Sequence, residues 1–282
     1  MTVSTGDRVL VTGAASGLGL SLVTQLLERG CRVLATDVHL DLPSGLAALP
    51  GRLTYRQLDV RSDDDWTSTL AWVRQTWGGI DLVVNNAGVA SGGRVDLTTS
   101  ESWDWITQIN LLGVARGCRT FAAMLKEQRS GQILNTASAA GLVHPPRMTE
   151  YAAVKAGVVA LSESLRWELE PYGVGVAVIC PSFFRTNLAD SIRSADPSAS
   201  ESARKLIEGS GRSADTIAAD VLRQLDAGKS VILPDRDARV AYAAKRFAPW
   251  LYRAMMLRTA RQAAADEEAA GGARRAGARV SS

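Results

Sequence analysis

The chain has 282 residues, of which 46% are hydrophobic and 22% charged, and its formal net charge is +3. It is long enough for one α/β domain with a full core, and it lacks an apolar run near the roughly 20 residues of a membrane span, which excludes a transmembrane protein. Residues 236–282 hold ten Lys/Arg and four Asp/Glu. The positive charge therefore belongs to the tail and does not indicate a nucleic-acid-binding catalytic domain.

The cysteines and histidines do not suggest a metal site. Cys31, Cys118 and Cys180 are widely separated and lack metal-ligand spacing, so we expect buried free thiols in a reducing cytosol. His39 and His144 are too few and too far apart in the sequence, and no metal is expected. The N-terminus leads into the first predicted strand within a few residues, which leaves no room for a signal peptide. A cytoplasmic protein is expected.

Short apolar runs alternate with helical patterns along the chain, which is typical of a parallel sheet with helices on both faces. The predicted strands are 8–11, 32–36, 53–58, 82–84, 132–135, 174–179 and 230–233. The most distinct predicted helices are 63–76, 102–127 and 150–170. Residues 91–94 and 194–202 are Gly-rich or polar and predict loops.

The first predicted strand leads into a glycine-rich turn, Thr12-Gly-Ala-Ala-Ser-Gly-Leu-Gly19, and then into a segment with helical apolar spacing. Gly13, Gly17 and Gly19 allow a tight turn and a close approach by the backbone. The free N–H groups and the dipole at the start of the helix favour a pyrophosphate. With its flanking strand and helix, the turn predicts a dinucleotide site.

Asp37 ends the second predicted strand, twenty residues after Gly17, where an acid meets the adenosine ribose of a bound dinucleotide. A carboxylate accepts hydrogen bonds from the ribose hydroxyls and repels a 2′-phosphate. Val38 and His39 follow without Lys or Arg, and Ser16 in the glycine turn is not basic. These residues predict NAD in preference to NADP.

Tyr151 and Lys155 are four residues apart, and Ser138 lies thirteen positions before Tyr151. Positions i and i+4 share a helix face, so the pair places an ammonium beside a phenol. A neighbouring cation lowers the pKa of a tyrosine and allows it to exchange a proton with an alcohol or carbonyl oxygen. Ser138 can hydrogen-bond the same oxygen. Taken alone, such a pair is more often a solvated helix face.

Together these motifs resemble the short-chain dehydrogenase/reductase family over about residues 6–234. Asn85-Asn-Ala-Gly88, after the fourth predicted strand, and Asn110, in Gln108-Ile-Asn-Leu-Leu112, also match that family. The resemblance implies a doubly wound, Rossmann-like parallel sheet of seven strands in the order 3-2-1-4-5-6-7. One departure is Cys180-Pro-Ser182, where the family usually has Pro-Gly beside the nicotinamide.

The family's functional residues fall on matching positions of this chain. The resemblance implies that Tyr151 is the acid/base, Ser138 orients the reacting oxygen, and Lys155 lowers the pKa of the tyrosine and holds the nicotinamide ribose. Asn110 would anchor a water that links Lys155 to solvent. The implied cofactor contacts are Gly13, Ser16, Gly17, Leu18, Gly19, Asp37, Asp59, Val60, Asn86, Ala87, Gly88, Tyr151, Lys155, Pro181 and Thr186.

The segments expected around the substrate are 89–94, 142–148 and 183–208, and they contribute a largely apolar lining. This composition favours a hydrophobic secondary alcohol or ketone. Arg147 or Arg185 could bind a carboxylate, and residues 187–211 form an expected mobile lid. The predicted substrate contacts are Ser138, Leu142, His144, Met148, Phe183 and Phe184.

Three further expectations concern function and assembly. The leading prediction is an NAD-dependent secondary-alcohol dehydrogenase, and the alternatives are an NADPH-dependent carbonyl reductase and a catalytically idle dinucleotide sensor. The family pairs its long helices across a two-fold axis, which implies a homodimer or homotetramer through the helix 150–170. The catalytic domain is predicted to span 1–234.

Beyond Pro234, residues 235–262 predict an amphipathic helical extension, which Pro249 splits in two, and 263–282 a low-complexity, frayed tail. The extension carries one apolar stripe and one arginine stripe. This pattern suits packing on protein or a peripheral contact with an anionic bilayer, and the two alternatives stay open. The stripes are Val240, Ala244, Phe247, Leu251 and Met255, and Arg239, Arg246 and Arg253.

Overall fold

The computed structural model describes residues 2–186, 192–194 and 196–280, and its centre is one parallel sheet. The strands are β1 Arg8–Thr12, β2 Arg32–Asp37, β3 Arg52–Gln57, β4 Leu82–Asn85, β5 Gln132–Thr136, β6 Gly175–Ile179 and β7 Val231–Ile232. They pair in the order β3-β2-β1-β4-β5-β6-β7. The predicted seven-stranded doubly wound fold is confirmed.

The strand order reverses at β1, which lies between β2 and β4. Val11 pairs with Ala35 on one side and with Val84 on the other. The central strands are apolar on both faces, and Val9, Leu10 and Val11 are fully buried, as expected where helices cover both sides of a sheet. A crevice therefore forms outside the carboxyl ends of β1 and β4, where open α/β sheets bind their ligands.

Helices pack on both faces of the sheet. Leu22 of the first helix and Val221 belong to the core on one face, whereas Trp66, Phe121 and Val158 belong to the core on the other. The helices are α1 Gly17–Glu28, α2 Ser44–Ala47, α3 Asp63–Trp77, α4 Ser100–Thr107, α5 Gly113–Gln128, α6 Ala140–Val143, α7 Thr149–Leu169, α8 Pro197–Glu208, α9 Ala214–Asp226, α10 Arg236–Phe247 and α11 Pro249–Val280, with short 3₁₀ turns at Val95–Leu97 and Glu170–Tyr172.

The structure corrects two predictions about elements. The helix predicted over 102–127 is interrupted by a π turn, Gln108–Leu112, between α4 and α5. The sequence pattern does not reveal the turn, because the residues that are buried, Ile106, Asn110 and Val114, still recur every four positions. The polar segment predicted as a loop over 194–202 contains the start of α8, since Pro197 suits the first position of a helix.

The C-terminal extension forms α10 and α11, and Pro249 begins the second helix as the sequence predicts. The chain breaks at Ala248, whose backbone angles (φ −138°, ψ 64°) are not helical. α11 continues to Val280, whereas the sequence predicts a frayed tail from residue 263; its many Ala and Arg residues have high helix propensity. The division at residues 234 and 262 stays a prediction. None of the described helices is long and apolar enough to cross a membrane.

Candidate active site

A cavity of about 760 Å³ lies at the carboxyl ends of the central strands. Each strand end contributes to its lining: Gly13 follows β1, Asp37 ends β2, Asn86 follows β4, Thr136 ends β5 and Pro181 follows β6. All fifteen residues predicted to contact the cofactor line this cavity, as do Ser138, Tyr151 and Lys155. The fold therefore brings the predicted motifs to one place.

The glycine turn forms a cradle that side chains would fill. Gly13 has a φ of +64°, and a Cβ added there would lie 2.7 Å from the Cα of Ala87. Gly17 has a φ of +55°, and its added Cβ would collide with the Thr186 hydroxyl. Ser16 precedes α1 with extended backbone and makes no side-chain cap, so the first N–H groups of the helix are open to a ligand. The cradle fits the pyrophosphate of a dinucleotide.

Asp37 is held in place at the other end of the cradle. Its Oδ2 accepts from the backbone N–H of Ala15 at 3.0 Å, and its Oδ1 accepts from the backbone N–H of Val38 at 2.8 Å. Nδ1 of His39 lies 2.7 Å from the same Oδ1. The side chain of Asp37 is only 11% exposed and directs its charge at the glycine turn. An acid in this position favours ribose hydroxyls over a phosphate.

Asp59 lines the cavity beside Val60 and is paired with Arg61, which sequence reasoning missed. Nη2 of Arg61 lies 2.6 Å from Oδ2 of Asp59, and this hydrogen bond lowers the pKa of the carboxyl. Both basic groups near the predicted adenosine end, Arg61 and His39, are thus engaged by carboxylates of their own chain.

The Asn85-Asn-Ala-Gly88 segment ties the end of β4 to the end of β1. The Oγ1 of Thr12 accepts from the backbone N–H groups of Asn86 and Ala87, both at 3.0 Å. Nδ2 of Asn86 donates to the carbonyls of Thr12 and Gly13 at 3.0 and 3.2 Å. These bonds fix the wall opposite α1, so the width of the cradle is set by side chains of the two motifs.

Asn110 is fully buried in the π turn and clamps the next stretch of chain. Its Nδ2 donates to the carbonyl of Val89, and its Oδ1 accepts from the N–H of Val89, both at 2.8 Å. A Cβ added to Gly88 would lie 3.1 Å from this Oδ1 and 3.5 Å from Nζ of Lys155. Asn110 therefore lies behind the cavity wall, next to the lysine, and its water-anchoring role stays a prediction.

Ser138, Tyr151 and Lys155 converge on the floor of the cavity. The Oγ of Ser138 accepts from the N–H of Ala140 at 3.1 Å and donates to the carbonyl of Pro181 at 3.4 Å. Nζ of Lys155 donates to the carbonyl of Thr136 at 2.9 Å and lies 5.9 Å from the centroid of the Tyr151 ring. Tyr151 and Lys155 are both buried, so α7 carries its charged and phenolic groups on an inward face.

Burial is the main cause of the pKa shifts of Tyr151 and Lys155. It raises the pKa of Tyr151 to about 12, although the neighbouring Ser138 hydroxyl acts in the opposite direction. It lowers the pKa of Lys155 to about 8. The sequence predicts that the ammonium lowers the pKa of the tyrosine, but in this structure burial raises that pKa. Tyr151 is therefore protonated at neutral pH and ready to donate.

Ser182, where the family usually has glycine, is accommodated without strain. Its backbone is not in the left-handed region, so no glycine is required. Its N–H donates at 2.8 Å to Oδ2 of Asp235, a buried residue directly before α10. The other oxygen of Asp235 pairs with Arg212 at 3.3 Å. The start of the C-terminal extension thus anchors the loop that follows β6.

The substrate end of the cavity is apolar, but two predicted contacts are absent from its lining. Leu142 packs into the core below the sheet. His144 has a φ of +52° and turns outward, where its Nδ1 lies 2.8 Å from Nζ of Lys245 and its Nε2 lies 3.0 Å from the carbonyl of Gly141. The end of α6 instead places Val143 in the lining. Met148, Phe183 and Phe184 line the cavity as predicted.

The lining also contains residues that were not named as predicted contacts: Trp105, Ile109, Ile192, Arg193, Ile207, Asp237, Ala238, Ala241 and Met255. Ile192, Arg193 and Ile207 lie in the segment 183–208 that the sequence places around the substrate, and Met255 belongs to the apolar stripe on the extension. The sequence does not indicate Trp105, Ala238 or Ala241 as lining residues. In the predicted lid, 187–191 and 195 lie outside the described residues, and its mobility stays a prediction. Arg147 is ion-paired with Asp196, and Arg185 does not line the cavity.

Comparisons with known proteins agree with this geometry. A family model described as short chain dehydrogenase matches residues 7–197. The chain is 32% identical over 191 residues to 3-oxoacyl-(acyl-carrier-protein) reductase of Thermotoga maritima. This match covers 66% of this chain and 78% of that relative. It is also 32% identical over 197 residues to the NADP-dependent (R)-specific alcohol dehydrogenase of Lentilactobacillus kefiri. This match covers 68% of this chain and 78% of that relative.

A similar solved structure is a short chain dehydrogenase/reductase from Burkholderia phymatum in complex with NAD. The two share a TM-score of 0.82 and 26% sequence identity, and the match covers 89% of this chain and 96% of that one.

Proposed function

We propose a function from the premise that this chain belongs to the short chain dehydrogenase family and is an NAD(P)-dependent oxidoreductase acting on CH–OH groups. Within that activity, we propose that it interconverts an apolar secondary alcohol and its ketone with NAD. The observation that carries this proposal is the convergence of Ser138, Tyr151 and Lys155 on one cavity whose far end is lined by apolar side chains. Such a lining suits a substrate with few charges.

The protein's part in the reaction is to position groups and move one proton. The glycine turn, Asp37 and Lys155 would hold the dinucleotide, which supplies the hydride chemistry when bound. Ser138 hydrogen-bonds the reacting oxygen. Tyr151 donates its proton to that oxygen in reduction and accepts it in oxidation, a step that positioned side chains accelerate by about 10²–10⁴-fold.

The preference for NAD rests on this chain's own residues. One relative is named NADP-dependent, and one solved relative holds NAD, so both cofactors occur among similar proteins. Here Asp37 is fixed at the end of β2, and the basic side chains of His39 and Arg61 are already paired with carboxylates. A 2′-phosphate would meet a negative charge without a free cation beside it.

A screen tests this function directly. A panel of apolar secondary alcohols, offered with NAD and with NADP, is followed at the absorbance of the reduced nicotinamide. We expect turnover with NAD, and turnover lower by about 10²–10⁴-fold in Tyr151→Phe. Absence of turnover with every alcohol and ketone, while the protein still binds NADH, would support the idle-sensor alternative instead. Faster turnover with NADP would favour the carbonyl-reductase alternative.

We also propose a homodimer or homotetramer in which α7 faces its counterpart. Its outer face carries small residues such as Ala153 and Ala160, and Trp167 is 65% exposed. A large apolar ring on a flat, small-residue face suits a helix–helix contact. Sedimentation equilibrium of the wild type and of Trp167→Glu measures this: the substitution should shift the assembly towards monomer, and a wild type that is already monomeric contradicts the proposal.

We further propose a cytoplasmic protein whose extension touches an anionic bilayer. Phe247 and Trp250 are 78% and 74% exposed, and Arg246 stacks on Phe247 at 5.7 Å. Exposed aromatic rings beside basic residues suit the interface of an anionic membrane. Co-sedimentation with vesicles containing phosphatidylserine should be salt-sensitive and should fall in the double variant Phe247→Ser with Trp250→Ser. Equal co-sedimentation of both proteins would contradict it.

A further inference from the structure

Arg193 brings a positive charge to the apolar end of the cavity. Its guanidinium carbon lies 4.3 Å from the centroid of the Trp105 ring, and both residues line the cavity. The backbone of Arg193 is tied down as well, since its N–H donates to the carbonyl of Ala90 at 3.2 Å and it bridges to Ser91. The cation therefore has a defined place, on the face of a tryptophan that holds it without neutralising it.

Within the described part of the chain, the Arg193 guanidinium makes no ion pair. The other cations near the site differ in this respect: Arg61 is paired with Asp59, and Arg147 with Asp196. The ammonium of Lys155 donates to a backbone carbonyl at the catalytic floor. Arg193 is thus the lining cation whose five donors remain available to a ligand at the substrate end. A guanidinium in this state binds a carboxylate with two parallel hydrogen bonds.

The position of the Trp105 ring links this cation to the reaction centre. Trp105 packs against the small cluster that contains Ile106 and Tyr151, together with Met148. A substrate whose reacting oxygen lies at Tyr151 can therefore run along this apolar cluster and end at Arg193. This arrangement suits an apolar body with the reacting oxygen at one end and an anion at the other.

A second cavity, of about 190 Å³, shares Arg193 and shows which side an anion would take. Its lining includes Glu150 and Asp196, both buried carboxyl groups. Asp196 is already paired with Arg147, and Glu150 leaves an acidic group in the small cavity. The cluster of side chains that packs with Trp105 contains no acid, so an anion is favoured on that side of Arg193.

We propose that Arg193 and Trp105 form a carboxylate-binding subsite, and that the substrate class is an apolar hydroxy acid and the corresponding oxo acid. This proposal rests on the proposed function and deepens it, since it adds an anionic group to the apolar alcohol. Arg193 supplies the charge and the paired donors, and Trp105 fixes the plane in which they lie.

A binding experiment tests the subsite without turnover. The full-length protein with NADH is titrated with octanoate and with octanamide, which has the same shape but no charge, by isothermal titration calorimetry. The wild type should bind octanoate at least about tenfold more tightly, or ~1.4 kcal/mol. Arg193→Met should reduce this ratio to near one. Arg193→Lys should keep part of it, because an ammonium retains the charge but loses the planar fork.

Matched controls separate the local charge from the net charge. Arg185→Met removes the same charge from a residue outside the lining and should leave the ratio unchanged. Asp237→Asn removes an acid that lines the cavity from α10 and should make octanoate bind more tightly. Circular dichroism and NADH titration confirm that each variant is folded and binds cofactor.

The outcomes are distinct. Equal binding of octanoate and octanamide by the wild type overturns the subsite, and so does a preference for octanoate that survives in Arg193→Met. A loss of NADH affinity in Arg193→Met with the ratio intact would show that the guanidinium serves the cofactor instead, and also overturns it. Failure of the proposed function is seen separately, as absence of turnover with any secondary alcohol or hydroxy acid while the octanoate preference persists.

Discussion

The two ends of the cavity are built in different ways. At the adenosine end, the lining consists of backbone and short polar side chains next to strand ends, and hydrogen bonds such as those of Asp37 to Ala15 and of Asn86 to Thr12 hold it. At the substrate end, the lining is made of apolar side chains from α4, α8, α10 and α11. A polar ligand site can thus be encoded in short motifs, whereas an apolar one depends on contacts between distant segments.

Because of this difference, the two ends of the cavity should respond unequally to amino-acid substitutions. At the adenosine end, one added carbon collides with backbone, as at Gly13. At the substrate end, the lining packs through side chains that can shift. We therefore expect substitutions at the reaction centre and the adenosine end to have large effects, and substitutions around the extension to have small ones.

The largest effect should come from Tyr151→Phe, at the point where the two ends meet. The ring stays in its buried place but the exchangeable proton is lost, so kcat should fall by about 10²–10⁴-fold. NADH affinity should change little. Steady-state kinetics and NADH titration measure both. Tyr172→Phe, in the 3₁₀ turn before β6 and outside the cavity lining, is the matched control and should retain full activity; a Tyr151→Phe variant near wild type would contradict the assigned role.

Gly13→Ala tests the stiffness of the adenosine end. The new Cβ would lie 2.7 Å from backbone of Ala87, in addition to the cost of a φ of +64°. Gly78→Ala is the control, because Gly78 has a φ of +69° but nothing within 4 Å of the added Cβ. Both should lose about 1–2 kcal/mol of stability from the left-handed backbone. Only Gly13→Ala should also weaken NADH binding, and equal NADH affinity in the two variants would argue against the cradle.

These two tests also show how much the sequence could predict. The alternation of apolar runs and helical patterns predicts the sheet, and all fifteen expected cofactor residues line the cavity. Most of those residues follow a strand end that a sequence motif marks, and Tyr151 and Lys155 lie four residues apart on α7. Trp105, Ala238 and Ala241 were missed because their place depends on how α4 and α10 pack across the cavity, which no local pattern encodes. His144 was wrongly placed because its left-handed backbone reverses the direction of its side chain.

The burial of Lys155 should make stability depend on pH. Its pKa is about 8 in the folded protein against 10.5 when unfolded. Below pH 8 the lysine is charged in both states, and the cost of burying it is fully present. Between pH 8 and 10 only the unfolded state keeps the proton, so the free energy of unfolding should rise by about 1 kcal/mol per pH unit relative to Lys155→Met. Urea unfolding at a series of pH values measures the difference, and a flat difference would contradict the burial of a titrating lysine.

Asp37→Ala should narrow the preference between cofactors. We expect the wild type to favour NAD over NADP by at least about tenfold in kcat/KM, or ~1.4 kcal/mol. Removal of the carboxylate takes away both the ribose acceptor and the repulsion of a 2′-phosphate. Asp41→Ala, which alters an exposed acid outside the lining, should leave the ratio unchanged. Equal efficiency of the wild type with both cofactors would show the assignment to be wrong.

The smallest effect should come from the attachment of the extension. The hydroxyl of Tyr252 donates to the carbonyl of Val143 at 2.5 Å, and Nζ of Lys245 donates to that of Leu142 at 2.6 Å. Tyr252→Phe removes one net hydrogen bond, worth about 1 kcal/mol, and should raise KM for the substrate a few-fold. KM for NAD should not change. Tyr242→Phe serves as the control. A change in KM for NAD alone would contradict the expected link between the extension and substrate binding.

The bond between Ser182 and Asp235 has a consequence for modularity. Asp235 belongs by sequence to the C-terminal extension, yet its carboxylate fixes a loop that closes the catalytic cavity. A chimera joined at Pro234 would therefore exchange part of the active site together with the appendage. Grafts between relatives should retain activity only when the junction falls after Asp235, so that the carboxylate stays with the loop whose backbone N–H it accepts from. A single carboxylate at the junction of the catalytic domain and the extension therefore limits where two such chains can be recombined.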